Sequence, residues 1–192
     1  MSGSVEAFER NLAQVVIGAK LCLDRDLHMP ALVLIYSLID SFAWAASEAS
    51  EKNTRDRFEN WLSRFVYPHS PLPCTPAELY AARCGVLHTF TGRADLHVRG
   101  KLRQVVYAWG PARLSTLQES VEITKRADIV GLHINELLDA VANGIEATFK
   151  SAGEDARLSA NLDRAAQMHY AEIPKETLER LLASAKSDGN RS

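Results

Sequence analysis

With 192 residues, 46% of them apolar and 24% charged, and a net charge of −2, the chain has the balance of an ordinary soluble domain with one core. That balance excludes a disordered chain and a protein drawn to nucleic acid by overall charge. Its three cysteines, Cys22, Cys74 and Cys84, are too few and too irregularly spaced for a disulfide scaffold or a metal site, and they indicate reduced thiols in the cytoplasm.

In chain order the pattern is mainly helical. Val5, Phe8, Leu12, Val15, Val16, Ala19 and Leu23 recur at helical spacing and predict a first amphipathic helix over about residues 4–25. The N-terminus, MSGSVEAFERN, has no basic segment followed by an apolar one, so no signal peptide is expected. Pro30 suits the first turn of a second helix, PALVLIYSLIDSFAWAA, residues 30–46. This run is short for a membrane span and carries Asp40, so it reads as a buried core helix, with no membrane association. A third helix runs over about 54–67, with Phe58, Trp61, Leu62 and Phe65 on one side. Four prolines in YPHSPLPCTP, residues 67–76, make a stiff connection.

Thr75-Pro76-Ala77-Glu78 then combines an N-cap, a first-turn proline and the glutamate of a capping box, which starts a fourth helix near Pro76. It is expected to stop near Thr91-Gly92, with Gly92 left-handed. LRQVVYAW (102–109) and VEIT (121–124) are β-prone and predict a small hairpin. Val130, Ile134, Leu137, Leu138, Val141, Ile145 and Phe149 make the stripe of a fifth helix capped by Asp128. Weaker helices follow over about 154–170 and 174–186, before a frayed tail at 187–192. The fold expected is therefore mainly α: one antiparallel helical bundle with a core over about 4–150, a C-terminal helical extension, and the hairpin between the fourth and fifth helices.

The chain holds 15 arginines and six histidines, and four Arg–His pairs have four to six residues between them: Arg64–His69, Arg83–His88, Arg126–His133 and Arg164–His169. Arg64–His69 straddles Pro68, Arg126–His133 crosses the start of the fifth helix, and Arg164–His169 lies on an ordinary amphipathic surface. Only Arg83–His88 sits inside a well-capped helix, with apolar residues before, between and after the pair. Residues five apart on a helix are separated by about 140°, so the two are not expected to share a face. A two-fold axis between two chains would instead bring an Arg and a His from each into one cleft. Asp40, a carboxylate in an apolar helix, needs a partner and is the candidate to orient Arg83 or a histidine, with Tyr36 one turn back as the alternative partner.

The stretch LYAARCGVLH, residues 79–88, resembles the signature of the HEPN family of α-helical domains, an Arg and a His a few residues apart at a dimer interface. IYSLIDSFAW upstream, an apolar helix bearing a polar residue, adds to the resemblance. It implies a helical homodimer that binds RNA and cleaves it without metal or cofactor, in some members as a toxin paired with a nucleotidyltransferase-type antitoxin. Arg83 and His88 would then be catalytic and Asp40 supporting. Active members often have a polar residue where this chain has Cys84. One toxin subgroup has a tyrosine, modified by its antitoxin, where this chain has Phe90.

The residue types suit that chemistry. An imidazole takes or gives a proton near neutrality, and a guanidinium stays charged and forks onto phosphate oxygens. The basic run Arg93, Arg99, Lys101 and Arg103, with His97, would steer a phosphate backbone. Two other readings compete: a non-catalytic HEPN-like module that binds a nucleotide or a partner, and an unrelated bundle in which the spacing is coincidence. His133, Asn135 and Glu136 offer too few ligands for a metal.

Overall fold

The computed structural model describes residues 3–90, 102–111 and 126–168, with Ser115, Gln118, Glu119, Glu122, Thr177, Glu179 and Arg180. Among these the protein is mainly helical: α1 (Gly3–Leu23), α2 (His28–Ala46), α3 (Thr54–Trp61), α4 (Pro76–Thr89), β1 (Gln104–Ala108), β2 (Ile129–His133), α5 (Ile134–Ala152) and α6 (Ala156–Met168).

The most apolar helix, α2, becomes the centre. It touches α1, α3, α4, α5 and α6, and Ile35, Leu38, Ile39 and Phe42 on it are fully enclosed. Phe42 meets the rings of Phe8, Trp61 and Phe149 at centroid distances of 6.2, 5.7 and 5.7 Å. Burying a side chain of this size stabilises the fold by about 1.5–3 kcal/mol. Among the described residues α2 is also the one helix long and apolar enough to cross a membrane. It opens at His28 rather than at Pro30.

The third helix ends differently from the expected run to Tyr67. After Trp61 it widens into a π-helical turn, Leu62–Val66, closed by Tyr67 N–H donating to the Leu62 carbonyl at 3.0 Å. The turn keeps Leu62, Phe65 and Val66 all buried. Gly144 of α5 lies against it so closely that a Cβ there would stand 2.5 Å from Val66 Cγ2. Trp61 Nε1 donates to Thr148 Oγ1 at 3.0 Å, and that hydroxyl donates to the Gly144 carbonyl at 2.7 Å.

The capping box of α4 forms as its sequence indicates. Glu78 N–H donates to Thr75 Oγ1 at 3.2 Å, and Thr75 N–H donates to Glu78 Oε2 at 2.8 Å. The helix stops two residues earlier than expected, with Phe90 itself left-handed at φ 52°, ψ 34°; Gly92 lies outside the described residues. Glu78, 4% exposed, also receives Arg103 Nε at 2.7 Å and Nη2 at 2.9 Å. One carboxylate thereby ties the start of α4 to the strand that follows.

The expected hairpin is not what forms. β1 pairs with β2 in parallel, Val105 beside Val130 and Tyr107 beside Leu132. Glu122 is helical, and the rest of VEIT lies outside the described residues. The partner strand is IVGLH, whose Val130 also fits the helical stripe of the fifth helix. Its Val130, Gly131 and Leu132 are buried, and the 20 residues between the strands are enough for the crossover that a parallel pair requires. Helix α5 accordingly begins at Ile134, capped by His133 Nδ1, which accepts from Asn135 N–H at 3.3 Å. Asp128, the expected cap, instead holds Arg126 through bonds of 2.7 and 2.8 Å.

In the C-terminal extension, Arg164 of α6 donates to the carbonyls of Trp44 and Ser47 at 3.4 and 3.0 Å, closing the end of α2. It therefore belongs to the packing rather than to an ordinary surface. Of the segment expected as a last helix, Thr177, Glu179 and Arg180 are helical and the remainder lies outside the described residues.

Candidate active site

The capping box fixes where α4 begins, and hence which residues turn toward α2. Arg83, two turns in, lies across Asp40. Its Nε and Nη2 donate to the same carboxylate oxygen, Oδ2, at 2.9 and 2.7 Å. The side chains are 14% and 23% exposed, so the pair is shielded at the lip of the core. Burial works against the guanidinium charge, and the Asp40 carboxylate outweighs it, holding Arg83 protonated more firmly than a free arginine.

The third guanidinium nitrogen points outward. Arg83 Nη1 lies 3.1 Å from His88 Nε2. An arginine can only donate, so the imidazole accepts at Nε2 and carries its proton on Nδ1. The expectation that Arg83 and His88 meet only across two chains is thus corrected: they touch within one. The 140° offset describes where the Cβ atoms point. The rise between them is only about 7.5 Å, which a long arginine side chain lying along the helix covers. His88 is exposed in the last turn, where the left-handed Phe90 ends the helix.

Asp40 needed a partner, and that partner is Arg83. Tyr36, the alternative, bonds hydroxyl to hydroxyl with Tyr107 at 2.5 Å. Asp40 Oδ1 is buried with no hydrogen-bond partner among the described residues. The sequence reading missed Tyr80. Its ring centroid stands 5.9 Å from the guanidinium carbons of both Arg83 and Arg55, so the two cations flank one aromatic ring. Its signal was positional: Tyr80 is three residues before Arg83 on the same helix.

Of the basic residues proposed for RNA, Arg103 alone is among the described residues. Arg103 is engaged by Glu78 and also donates to the Pro73 carbonyl at 3.4 Å; Arg93, His97, Arg99 and Lys101 lie outside the described residues. Two of the other Arg–His pairs do not assemble: Arg64 holds Asp155 at 3.0 Å, and Arg126 holds Asp128. His169 lies outside the described residues. A cleft of about 500 Å³ opens elsewhere, between the C-terminal end of α2, the π-helical turn and α6. None of Asp40, Arg83 or His88 borders it. Its Arg64 and Arg157 are neutralised by Asp155 and Glu48. Among the described residues no three His, Cys, Asp or Glu side chains are placed to hold a metal ion.

What the arrangement offers is one charged guanidinium, braced from behind by a carboxylate, beside one exposed imidazole with a free lone-pair position once its arginine contact opens. Neither a protein family, nor a curated protein, nor a solved structure matches the chain.

Proposed function

We propose that the protein is a HEPN-like, homodimeric, cytoplasmic RNA-binding protein that cleaves RNA without a metal or cofactor. The observation that carries this reading is the Asp40–Arg83–His88 line, which ends in an exposed imidazole. Arg83 binds a phosphate oxygen of the scissile link, and Asp40 keeps the guanidinium aimed outward as a positioning residue. A phosphate that draws Arg83 Nη1 toward itself releases the lone pair on His88 Nε2. That nitrogen takes the proton of the 2′-hydroxyl as the 2′-oxygen attacks phosphorus. The P–O5′ bond breaks, the 5′-oxygen takes a proton from solvent, and the products end in a 2′,3′-cyclic phosphate and a 5′-hydroxyl. Phe90, 66% exposed and two residues past His88, offers a face on which a base can stack.

The test is cleavage of a defined RNA oligonucleotide by purified protein, with the product ends identified. His88→Ala and Arg83→Ala should each lose about 100-fold or more. Wild-type protein that leaves RNA intact, or cleavage unchanged in His88→Ala, overturns the reading. One observation favours a second reading, a non-catalytic HEPN-like module for a nucleotide or partner: Arg83 is only 14% exposed and already neutralised by Asp40. A nucleotidyltransferase-type antitoxin belongs to the first reading, although Phe90 has no hydroxyl for it to modify.

A further inference from the structure

Helix α1 has two different faces. Phe8, Leu12 and Ala19 are buried against the bundle. On the opposite side, Arg10, Ala13, Ile17, Leu21 and Asp24 form an exposed strip at helical spacing, with Ile17 and Leu21 each 57% exposed. Asp24 still belongs to the helical frame, because its N–H donates to the Lys20 carbonyl at 2.9 Å. Isolated exposed aliphatics are ordinary, but two stacked on one face between opposite charges are a pattern.

The strip complements itself when reversed. Laid antiparallel on a second copy and centred on Ile17, each residue before the centre meets the one equally far after it. Ile17 then packs on Ile17 of the second copy, and Leu21 fills the space left by the small Ala13. Arg10 comes opposite Asp24, and Asp24 opposite Arg10, so both ends are charge-matched. Gln14 and Lys20, about 60° to either side of Ile17, stand on opposite edges of the contact, clear of each other. Neither Arg10 nor Asp24 pairs with another side chain among the described residues, so both are available.

We infer that the protein self-associates through α1, as an isologous antiparallel pair centred on Ile17. This names a surface for the homodimer of the proposed reading and does not depend on the proposed cleavage. It also changes the expected assembly: α1 packs on α2, α5 and α6, whereas Arg83 and His88 sit on α4, against α2, α3 and β1. The two copies therefore keep two separate Arg83–His88 sites instead of building one shared cleft. A strip of this size falls short of the roughly 20–30 residues a side of a standard stable interface, so the association is weak and concentration-dependent.

The experiment is sedimentation or light scattering of the full chain at low ionic strength, across roughly 1–200 µM. Wild type should pass from monomer to dimer. Ile17→Asp should stay monomeric. Arg10→Asp alone and Asp24→Arg alone should each associate roughly tenfold more weakly, since each places like charges opposite one another at both ends. Mixed in equal amounts, these two variants should recover wild-type association, because every charge then meets its opposite. The substituted positions are exposed, so the fold is retained, and recovery on mixing cannot come from a misfolded variant. A wild type that is monomeric throughout, a dimer untouched by Ile17→Asp, or a mixture that fails to recover overturns the inference. None of these measurements uses RNA, so they stand apart from the test of cleavage; monomeric Ile17→Asp should cleave as the wild type does.

Discussion

Glu78 contributes twice to α4, and replacing it separates the two contributions. As the capping-box glutamate it accepts the Thr75 N–H, and as an ion-pair partner it accepts Arg103 through three donors. Losing a cap costs about 1 kcal/mol. Removing one member of a buried pair costs about 3–5 kcal/mol. The Arg103 side chain is 41% exposed and can turn to water, so the pair contributes nearer about 1–2 kcal/mol here. Glu78→Ala should therefore lower stability by about 2–3 kcal/mol in urea titrations near neutral pH, and Glu78→Gln, which keeps the shape, by about half of that. Acid gives the sharper test. Burial pushes the Glu78 carboxyl up, but Arg103 and the Thr75 N–H outweigh it and leave the pKa below the ordinary 4.5. A carboxyl depressed by folding stabilises the protein fully above that ordinary value, and the stabilisation is lost as pH falls through the folded one. The gap between wild type and Glu78→Gln should thus be constant near neutrality and close below about pH 4.5. A gap that stays open or widens in acid would falsify the account of Glu78 as a charged hub.

Two other substitutions test the packing and the site. Gly144→Ala gains about 1 kcal/mol of helix propensity, yet its Cβ would meet Val66 Cγ2 at 2.5 Å, Trp61 Cη2 at 3.3 Å and the Phe65 carbonyl at 3.4 Å. Overpacking should win by about 1–2 kcal/mol, seen as a lower urea midpoint; a stabilised variant would refute the close approach. Asp40→Ala should cost about 2 kcal/mol by leaving the Arg83 charge shielded and unpaired, whereas exposed His88→Ala should change stability by under about 0.5 kcal/mol. Equal thermal unfolding curves for the two variants would contradict the bracing of Arg83 by Asp40.

Legibility followed the range of the interaction. Thr75-Pro76-Ala77-Glu78 specifies its helix start by bonds between residues three apart, so its sequence reading and its structure agree. Asp40 was recognisable as a charge in need of a partner because an unpaired carboxylate in an apolar helix is unfavourable wherever the chain leads it. Its pairing with Arg83, 43 residues away, then follows from how α2 and α4 cross. The contact between Arg83 and His88 was missed because helical angles locate the root of a side chain, and arginine reaches far from its root. The sheet was misassigned for a different reason. Val130 satisfies a helical stripe and a β-strand equally well, and only pairing with Val105 decides between them. Arg103 looked like a phosphate ligand because charge alone does not disclose a buried Glu78.

The parallel pairing of β1 with β2 bears on the order in which the chain comes together. The strands are separated by residues 109–128, and closing a loop of that length costs about 2.7 kcal/mol of chain entropy before a single ladder bond forms. The contact of α1 with α2 needs only the short turn through Asp26. Helix pairing therefore has the lower entropic barrier, and strand pairing follows once the bundle offers a surface. Arg103 is 25 residues from Glu78, so their pairing also waits on closure of a long loop, whereas the cap forms between residues three apart. The candidate site sits on a helix that is started by bonds within its own first turn and secured by a partner distant in sequence.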